Sequence, residues 1–344
     1  MSDKKILSLG LFVNAAQPNK NIRTVEDRLA EIFLKNKINI ISSSISSGRS
    51  KRLADNIKTI RKNKSDFDIA LVPLFGTWPS FIWQEILTRL LKFYKKKIIL
   101  TVHGGSIPAR MEKDAARFLR ALKRAHIVTC PSAFIQQYLL KYNVKTRLIE
   151  NPVNLTEYIF QQKQKIGPRI IWMRAFDDVY NPSMAIRVAV LLAKKYPEFK
   201  MVMAGKGSME NEIKKMAQHF GLNDKIIFPG YINLQQKIDF VKEYDIYICT
   251  NKVDNAPVTF IEFMALGVPV ISTNSGGIPY IIKDGENGLL TDVDDDEAMA
   301  LQIQKLISEP LFSKKIIENA HEYSKRYDDR IIVEKWKEIF NELN

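Results

Sequence analysis

The sequence predicts an α/β protein built from two doubly wound domains. Short apolar runs alternate with longer segments whose apolar residues recur at helical spacing, a pattern that implies parallel strands joined by helices. The alternation runs twice along the chain, on either side of a polar change-over at residues 151–168. A length of 344 residues, 46% of them hydrophobic, is enough for two buried cores.

In the first series the apolar runs place strands at Ile6–Val13, Ile38–Ser42, Ile69–Pro73, Ile98–Val102 and Ile127–Cys130, with helices at Arg23–Lys35, Phe81–Tyr94 and Ala115–Ala125. The second series repeats the scheme. Its strands are Arg169–Met173, Lys200–Ala204, Lys225–Phe228, Ile246–Cys249 and Val268–Ser272, and its helices include Ser183–Lys195, Glu210–Phe220 and Gln235–Val241. Domains are accordingly expected at residues 1–160 and 161–330, followed by a terminal helix at 331–344. That helix carries Ile332, Trp336, Ile339 or Phe340, and Leu343 on one face, the spacing of a buried stripe. Sheets of this kind bind ligands at the C-terminal ends of their strands.

Composition narrows the function. No apolar run approaches the roughly 18 residues that span a bilayer. The segment from Met1 to Val13 reads as a first strand rather than a signal peptide, because it lacks a long apolar stretch and a cleavage site. Cys130 and Cys249 have neither metal-ligand spacing nor a disulfide framework, so a cytoplasmic location is expected, with no glycan on the sequons at Asn63 and Asn154. The net charge of +14 is uneven: residues 1–166 hold 30 Lys and Arg against 12 Asp and Glu, the remainder 22 against 26. A basic half implies an anionic partner. No zinc-finger or RNA-binding motif accompanies it, which leaves an anionic membrane surface ahead of nucleic acid. A compositional preference for lysine accounts for part of the excess. The segment Phe81–Lys97 is amphipathic and ends in a basic run, the pattern of a core helix or of one that touches a membrane surface.

The most informative stretch runs from Cys249 to Gly277. Asp254 and Glu262 lie eight positions apart, the first in a loop and the second in the second turn of an expected helix. Pro257 suits that helix's first turn, and Gly267 its end. The mouth formed by Asn255, Ala256, Pro257, Val258 and Thr259 therefore presents backbone N–H groups and a helix dipole to a phosphate. A diphosphate there would put a sugar near Asp254 and a nucleoside near Glu262. Taken alone, the two acids would read as solvated groups at a strand–helix junction. Their surroundings extend the pattern: E-F-M-A-x-G-x-P-V from Glu262, G-G-I-P from Gly276 and D-G-E-N-G-L-L from Asp284. The whole resembles the E-x7-E signature of the retaining GT-B glycosyltransferases of the group 1, or family 4, type, here in a D-x7-E version.

This resemblance implies a GT-B fold, two Rossmann-like domains facing across a cleft, with the terminal helix crossing back to the first. It implies a nucleotide-diphosphate-sugar as donor, a glycan or lipid-linked saccharide of the cell envelope as acceptor, no metal and no other cofactor. Residue by residue, His103 with Gly104 and Gly105 looks like the family's sugar-contacting histidine. Arg174 stands where the family carries a diphosphate-binding arginine, Glu262 would hold the ribose and Asp254 the sugar hydroxyls. Two departures stand out. The lysine usual a few residues after that arginine is replaced by Tyr180-Asn181, with Lys206 the nearest substitute by motif. The Gly-Gly loop usual after the first strand is replaced by residues Ala15 to Asn21, with Gly10 the nearest glycine. They leave open a catalytically weak partner or scaffold protein, or a nucleotide-sugar epimerase of the same fold. Pro131-Ser132 and Asn151-Pro152 read as structural or rim segments. Asp66-Phe67-Asp68 spells a D-x-D, but as the solvated entry to a strand. The acids from Asp292 to Glu297 read as a helix cap.

Overall fold

The computed structural model describes residues 5–9, 24–44, 48–105 and 107–343, and the chain forms two compact units. The first comprises residues 1–152 and 327–344, the second 153–326. The change-over thus falls just before Tyr158, which belongs to the second unit.

The first unit is a six-stranded parallel sheet. In chain order its elements are β1 (Lys5–Ser8), α1 (Val25–Lys35), β2 (Ile40–Ser42), α2 (Arg49–Lys62), β3 (Phe67–Phe75), α3 (Trp78–Phe93), β4 (Lys97–His103), α4 (Ile107–Leu122), β5 (Ile127–Cys130), α5 (Ala133–Leu140) and β6 (Arg147–Leu148). The spatial order is β2-β1-β3-β4-β5-β6. Helix α1 starts at Val25 because Thr24 and Asp27 form a reciprocal capping box. Helix α4 extends further upstream than expected, but its backbone breaks at Asp114 (φ −160°, ψ 64°), whose carboxylate accepts from Arg117 N and starts the part that the periodicity marks. Helix α2 was not expected. Its charge masks an inward stripe of Leu53, Ile57 and Ile60. Asp68 lies inside β3 rather than before it, near Lys96 at 3.7 Å.

The last helix, Asp329–Leu343, completes this unit. Its buried residues Ile332, Val333, Trp336, Ile339, Phe340 and Leu343 pack with Ile6, Ile32, Phe33, Ile69 and Ile99 in one apolar cluster. Phe33 meets the rings of Trp336 and Phe340 edge-on at 5.9 and 5.5 Å. Lys335 pairs with Glu150 at 2.5 Å, and the Lys97 ammonium donates to the Leu343 carbonyl.

The second unit repeats the plan: β7 (Arg169–Met173), α6 (Pro182–Lys195), β8 (Lys200–Ala204), α7 (Glu210–His219), β9 (Ile226–Gly230), α8 (Leu234–Glu243), β10 (Ile246–Cys249), α9 (Val258–Leu266), β11 (Val270–Thr273), β12 (Leu289–Thr291), α10 (Asp296–Ser308) and α11 (Pro310–Ser324). All six strands are parallel, in the order β12-β11-β10-β7-β8-β9. β12 is a three-residue strand within the D-G-E-N-G-L-L-T run, too short to stand out as an apolar segment. The order reverses between β7 and β10, which are neighbours although two strands and three helices separate them in sequence. A doubly wound sheet opens its ligand crevice at that reversal, at the C-terminal strand ends.

Candidate functional site

Arg174 follows β7 and Asp254 follows β10, so the reversal brings them together. Arg174 Nη2 lies 3.2 Å from Asp254 Oδ2, and Nη1 donates to Thr259 Oγ1 at 3.3 Å. Nε and Nη2 are buried and make no hydrogen bond among the described residues; the contact to Asp254 is an ion pair without hydrogen-bond alignment. The guanidinium lies between the rings of Tyr180 and Phe260, at 5.9 and 5.8 Å. Burial disfavours its charge, but the acidic groups of Tyr247, Cys249 and Asp254 around it outweigh burial and raise its pKa. The site therefore holds a permanent, under-bonded cation, a natural partner for an anion.

Asp254 is fixed from three sides. Its Oδ2 accepts from Asn251 Nδ2 and its Oδ1 from the Asn255 N–H, both at 2.7 Å, while its carbonyl accepts from Gly277 N–H at 2.7 Å. The glycines of G-G-I-P now have a physical reason. A Cβ on Gly276 (φ +56°) would lie 2.2 Å from the Asp254 oxygen, so only glycine lets the two loops touch. The loop after β8 does the same for Arg174. A Cβ on Gly205 (φ +138°) would meet the Arg174 carbonyl at 1.9 Å, and the Phe176 N–H donates to the Lys206 carbonyl.

Pro257 is the N-cap of α9, and Asp254, Ala256, Val258 and Thr259 keep accessible surface at its mouth, while Asn255 is buried. Glu262 stands on the second turn, as the spacing required. Its carboxylate is already held: the Tyr158 hydroxyl donates to Oε1 at 2.7 Å and Lys237 Nζ to Oε2 at 2.5 Å. Gly267 ends α9 (φ +82°) and lets the segment after Tyr158 pass close by, for a Cβ there would approach the Gln161 carbonyl to 2.7 Å. Lys237, on α8, was not expected. Its one signal in the sequence is a lysine on the inward stripe of an amphipathic helix, one turn before buried Val241.

Lys206 is exposed, its stem against Gly230, and no contact joins it to the Arg174 guanidinium among the described residues. Tyr180-Asn181 is built into the strand end. Both carbonyls accept from Thr250 Oγ1 at 2.9 Å, and Asn181, in the left-handed region, donates to Asp294. A cavity of about 450 Å³ between α7 and β9, beside Lys214, Lys215 and Phe228, contains none of these residues.

In the first unit His103 ends β4, its ring stacked on Phe75 at 5.4 Å. The residue keeps an accessible edge, but burial of the ring lowers its pKa to about 4, so it is neutral at physiological pH. Gly104 takes a positive φ of 95°. Ser132 is the N-cap of α5, and Glu150 is paired to Lys335, both structural placements. The loop from Ala15 to Asn21, and Gly10, lie outside the described residues.

Comparison with known proteins agrees with this geometry. Residues 156–323 match the family described as glycosyl transferases group 1, and residues 27–157 match glycosyltransferase family 4. A putative glycosyltransferase of Bacillus subtilis is 27% identical over 47% of this chain and 42% of its own length. An α-1,4-N-acetyl-D-galactosaminyltransferase of Campylobacter jejuni, whose name specifies an undecaprenol-diphosphate-linked substrate, is 24% identical over 72% of this chain and 69% of its own. The match thus spans less than half of the Bacillus protein. Among solved structures, sucrose-phosphate synthase from Thermosynechococcus elongatus superposes with a TM-score of 0.77 at 14% identity, covering 99% of both chains. Anabaena HepE, solved with UDP and glucose, gives 0.71 at 16%, covering 98% of this chain and 99% of its own. The fold is that of the GT-B glycosyltransferases. The two family matches, end to end along the chain, support a group 1 glycosyltransferase.

Proposed function

We propose that the protein is a retaining, metal-independent glycosyltransferase that moves a sugar from a nucleotide-diphosphate-sugar to a hydroxyl of a glycan or lipid-linked saccharide. The observation that carries this is the meeting of Arg174 and Asp254 at the sheet reversal, beside the N-terminus of α9. In this reading the donor diphosphate takes the under-bonded guanidinium and the helix mouth from Asn255 to Thr259. Those fixed charges stabilise the leaving phosphate, a role a metal ion would otherwise fill. Asp254 binds sugar hydroxyls, Glu262 the ribose, and neutral His103 donates or accepts a hydrogen bond near the reacting carbon. The acceptor attacks on the face from which the leaving group departs, and a phosphate oxygen takes its proton.

Lipid-linked acceptors fit two relatives by name: the Campylobacter transferase and an α-monoglucosyldiacylglycerol synthase of Streptococcus pneumoniae, 26% identical over 60% of this chain and 52% of its own. Charge fits too. Counted by the observed units, the first holds 31 Lys and Arg against 16 Asp and Glu, the second 21 against 22. Helix α3 also exposes Ile82, Ile86, Arg89 and Phe93 along one stripe, with Lys92 and Lys95 beside it. From this charge and the α3 stripe we propose a peripheral association with an anionic surface, at the cytoplasmic face; no helix among the described residues is long and apolar enough to cross a membrane.

A thermal-shift screen of nucleotide sugars against bare nucleotides identifies the donor, because a ligand that binds the native state raises the transition temperature. Proton NMR of the product, with the assay repeated in EDTA, tests the rest. An inverted linkage, or activity lost to EDTA and restored by one divalent ion, overturns the mechanism. Tyr180-Asn181 in place of a lysine favours a second reading, a weakly catalytic partner protein. It predicts donor binding without turnover.

A further inference from the structure

Lys237 is a lysine in an apolar place. Helix α8 buries two residues, Lys237 and Val241, one turn apart. A buried ammonium is costly unless paired and hydrogen-bonded. Its partner is Glu262 Oε2 at 2.5 Å, and its Nζ lies 5.8 Å from the centre of the Tyr158 ring. Tyr158 in turn donates to the other oxygen of the same carboxylate. Three elements far apart in sequence therefore converge on one acid: the segment before β7, helix α8 and helix α9. Both oxygens are thus oriented by donors.

Resting on the donor-site reading above, we infer that Lys237, with Tyr158, is a positioning residue that makes Glu262 read the ribose hydroxyls of the nucleotide. A carboxylate fixed by two donors meets a ribose hydroxyl in one orientation. One that is free to turn loses that alignment and with it the preference for ribose over deoxyribose. Replacing the ammonium with an apolar group leaves a largely buried carboxylate without its cation, which then turns outward to water.

The test compares UDP, GDP and ADP, then sets the tightest binder against its 2′-deoxy form by calorimetry. The native protein is expected to prefer the ribose form by about tenfold, the scale of one charge-assisted hydrogen bond. Lys237→Met brings that ratio to within about twofold of unity, raises the donor KM and leaves kcat nearly unchanged. Lys237→Arg keeps the charge and restores most of the ratio. Tyr158→Phe, which removes one hydroxyl and keeps the ring, gives an intermediate ratio and carries the test if Lys237→Met does not fold. A tenfold preference that survives in both Lys237→Met and Tyr158→Phe, or in Tyr158→Phe where Lys237→Met does not fold, overturns the inference and leaves the donor site standing. So does a native protein that binds a diphosphate but does not distinguish the two sugars. A native protein that binds none of the diphosphates removes the donor reading itself, and the inference with it.

Discussion

Gly277 stands directly against Asn255: a Cβ at position 277 would lie 1.9 Å from the Asn255 carbonyl oxygen. The loop that carries Asp254 is thus seated on the G-G-I-P turn with no room for a methyl group. Gly277→Ala should push the loop away, costing about 1–3 kcal/mol as other overpacked sites do. Thermal unfolding should register the loss, and nucleotide-sugar affinity should fall more than stability alone explains. Unchanged affinity in Gly277→Ala would mean that loop position does not matter for the donor.

Arg174→Ala and Glu262→Ala should each weaken nucleotide-sugar binding more than tenfold, about 1.5–3 kcal/mol for a charge-assisted contact. Arg174→Lys should recover only part of this, since a point charge does not replace a fork of donors. Both alanine variants should fold, as seen by circular dichroism. Titrations that match the native protein would refute the assigned donor site.

His103 has a pKa of about 4 in the folded chain, below the ordinary 6.5, because burial disfavours the imidazolium. The unfolded chain therefore takes up the proton first as pH falls. Stability that is present above pH 6.5 is lost between 6.5 and 4, by at most about 3 kcal/mol. His103→Gln should flatten that part of the stability–pH curve. In the same way, activity should show no limb near pH 6.5 from this group. An acid-stability curve identical in His103→Gln would contradict the assignment.

Vesicle co-sedimentation tests the membrane face. Binding to anionic vesicles should fall with salt, since the attraction acts over a Debye length of about 8–10 Å. Ile86→Asp with Phe93→Asp on α3 should weaken it further without unfolding the unit, because both side chains are exposed, Phe93 at 77%. Equal, negligible sedimentation with neutral and anionic lipid at low salt would point to a soluble acceptor.

Much of this was legible in the sequence because the signals are local. Asp254 and Glu262 share one loop and one helix, so their spacing places them on the fold, while their roles and that of Arg174 come from the resemblance of the surrounding motifs. What the sequence left hidden is what depends on distant partners. Tyr158 and Lys237 meet Glu262 across 104 and 25 residues; Lys237 is marked only by its place on the inward stripe of its helix, and Tyr158 by nothing nearby. Gly276 and Gly277 make contacts between loops that only the strand order brings together. Helix α2 was missed because its lysines and arginines outweigh a correct apolar stripe, and β12 because three residues make no pattern.

The terminal helix gives the first unit a core drawn from both ends of the chain. Phe33 emerges from the ribosome before the second unit, and Trp336 and Phe340 emerge after it. At about 5–20 residues per second the roughly 300 residues between them take on the order of fifteen to sixty seconds. Throughout that time, the apolar face of α1 waits without its cover. The first unit is therefore the slower half to finish, and the later-made unit can be complete before it. Nascent chains stalled before Asp329 should be cleaved by protease in the first unit and spared in the second; equal protection of both would show that the helix is an ornament on an already finished core.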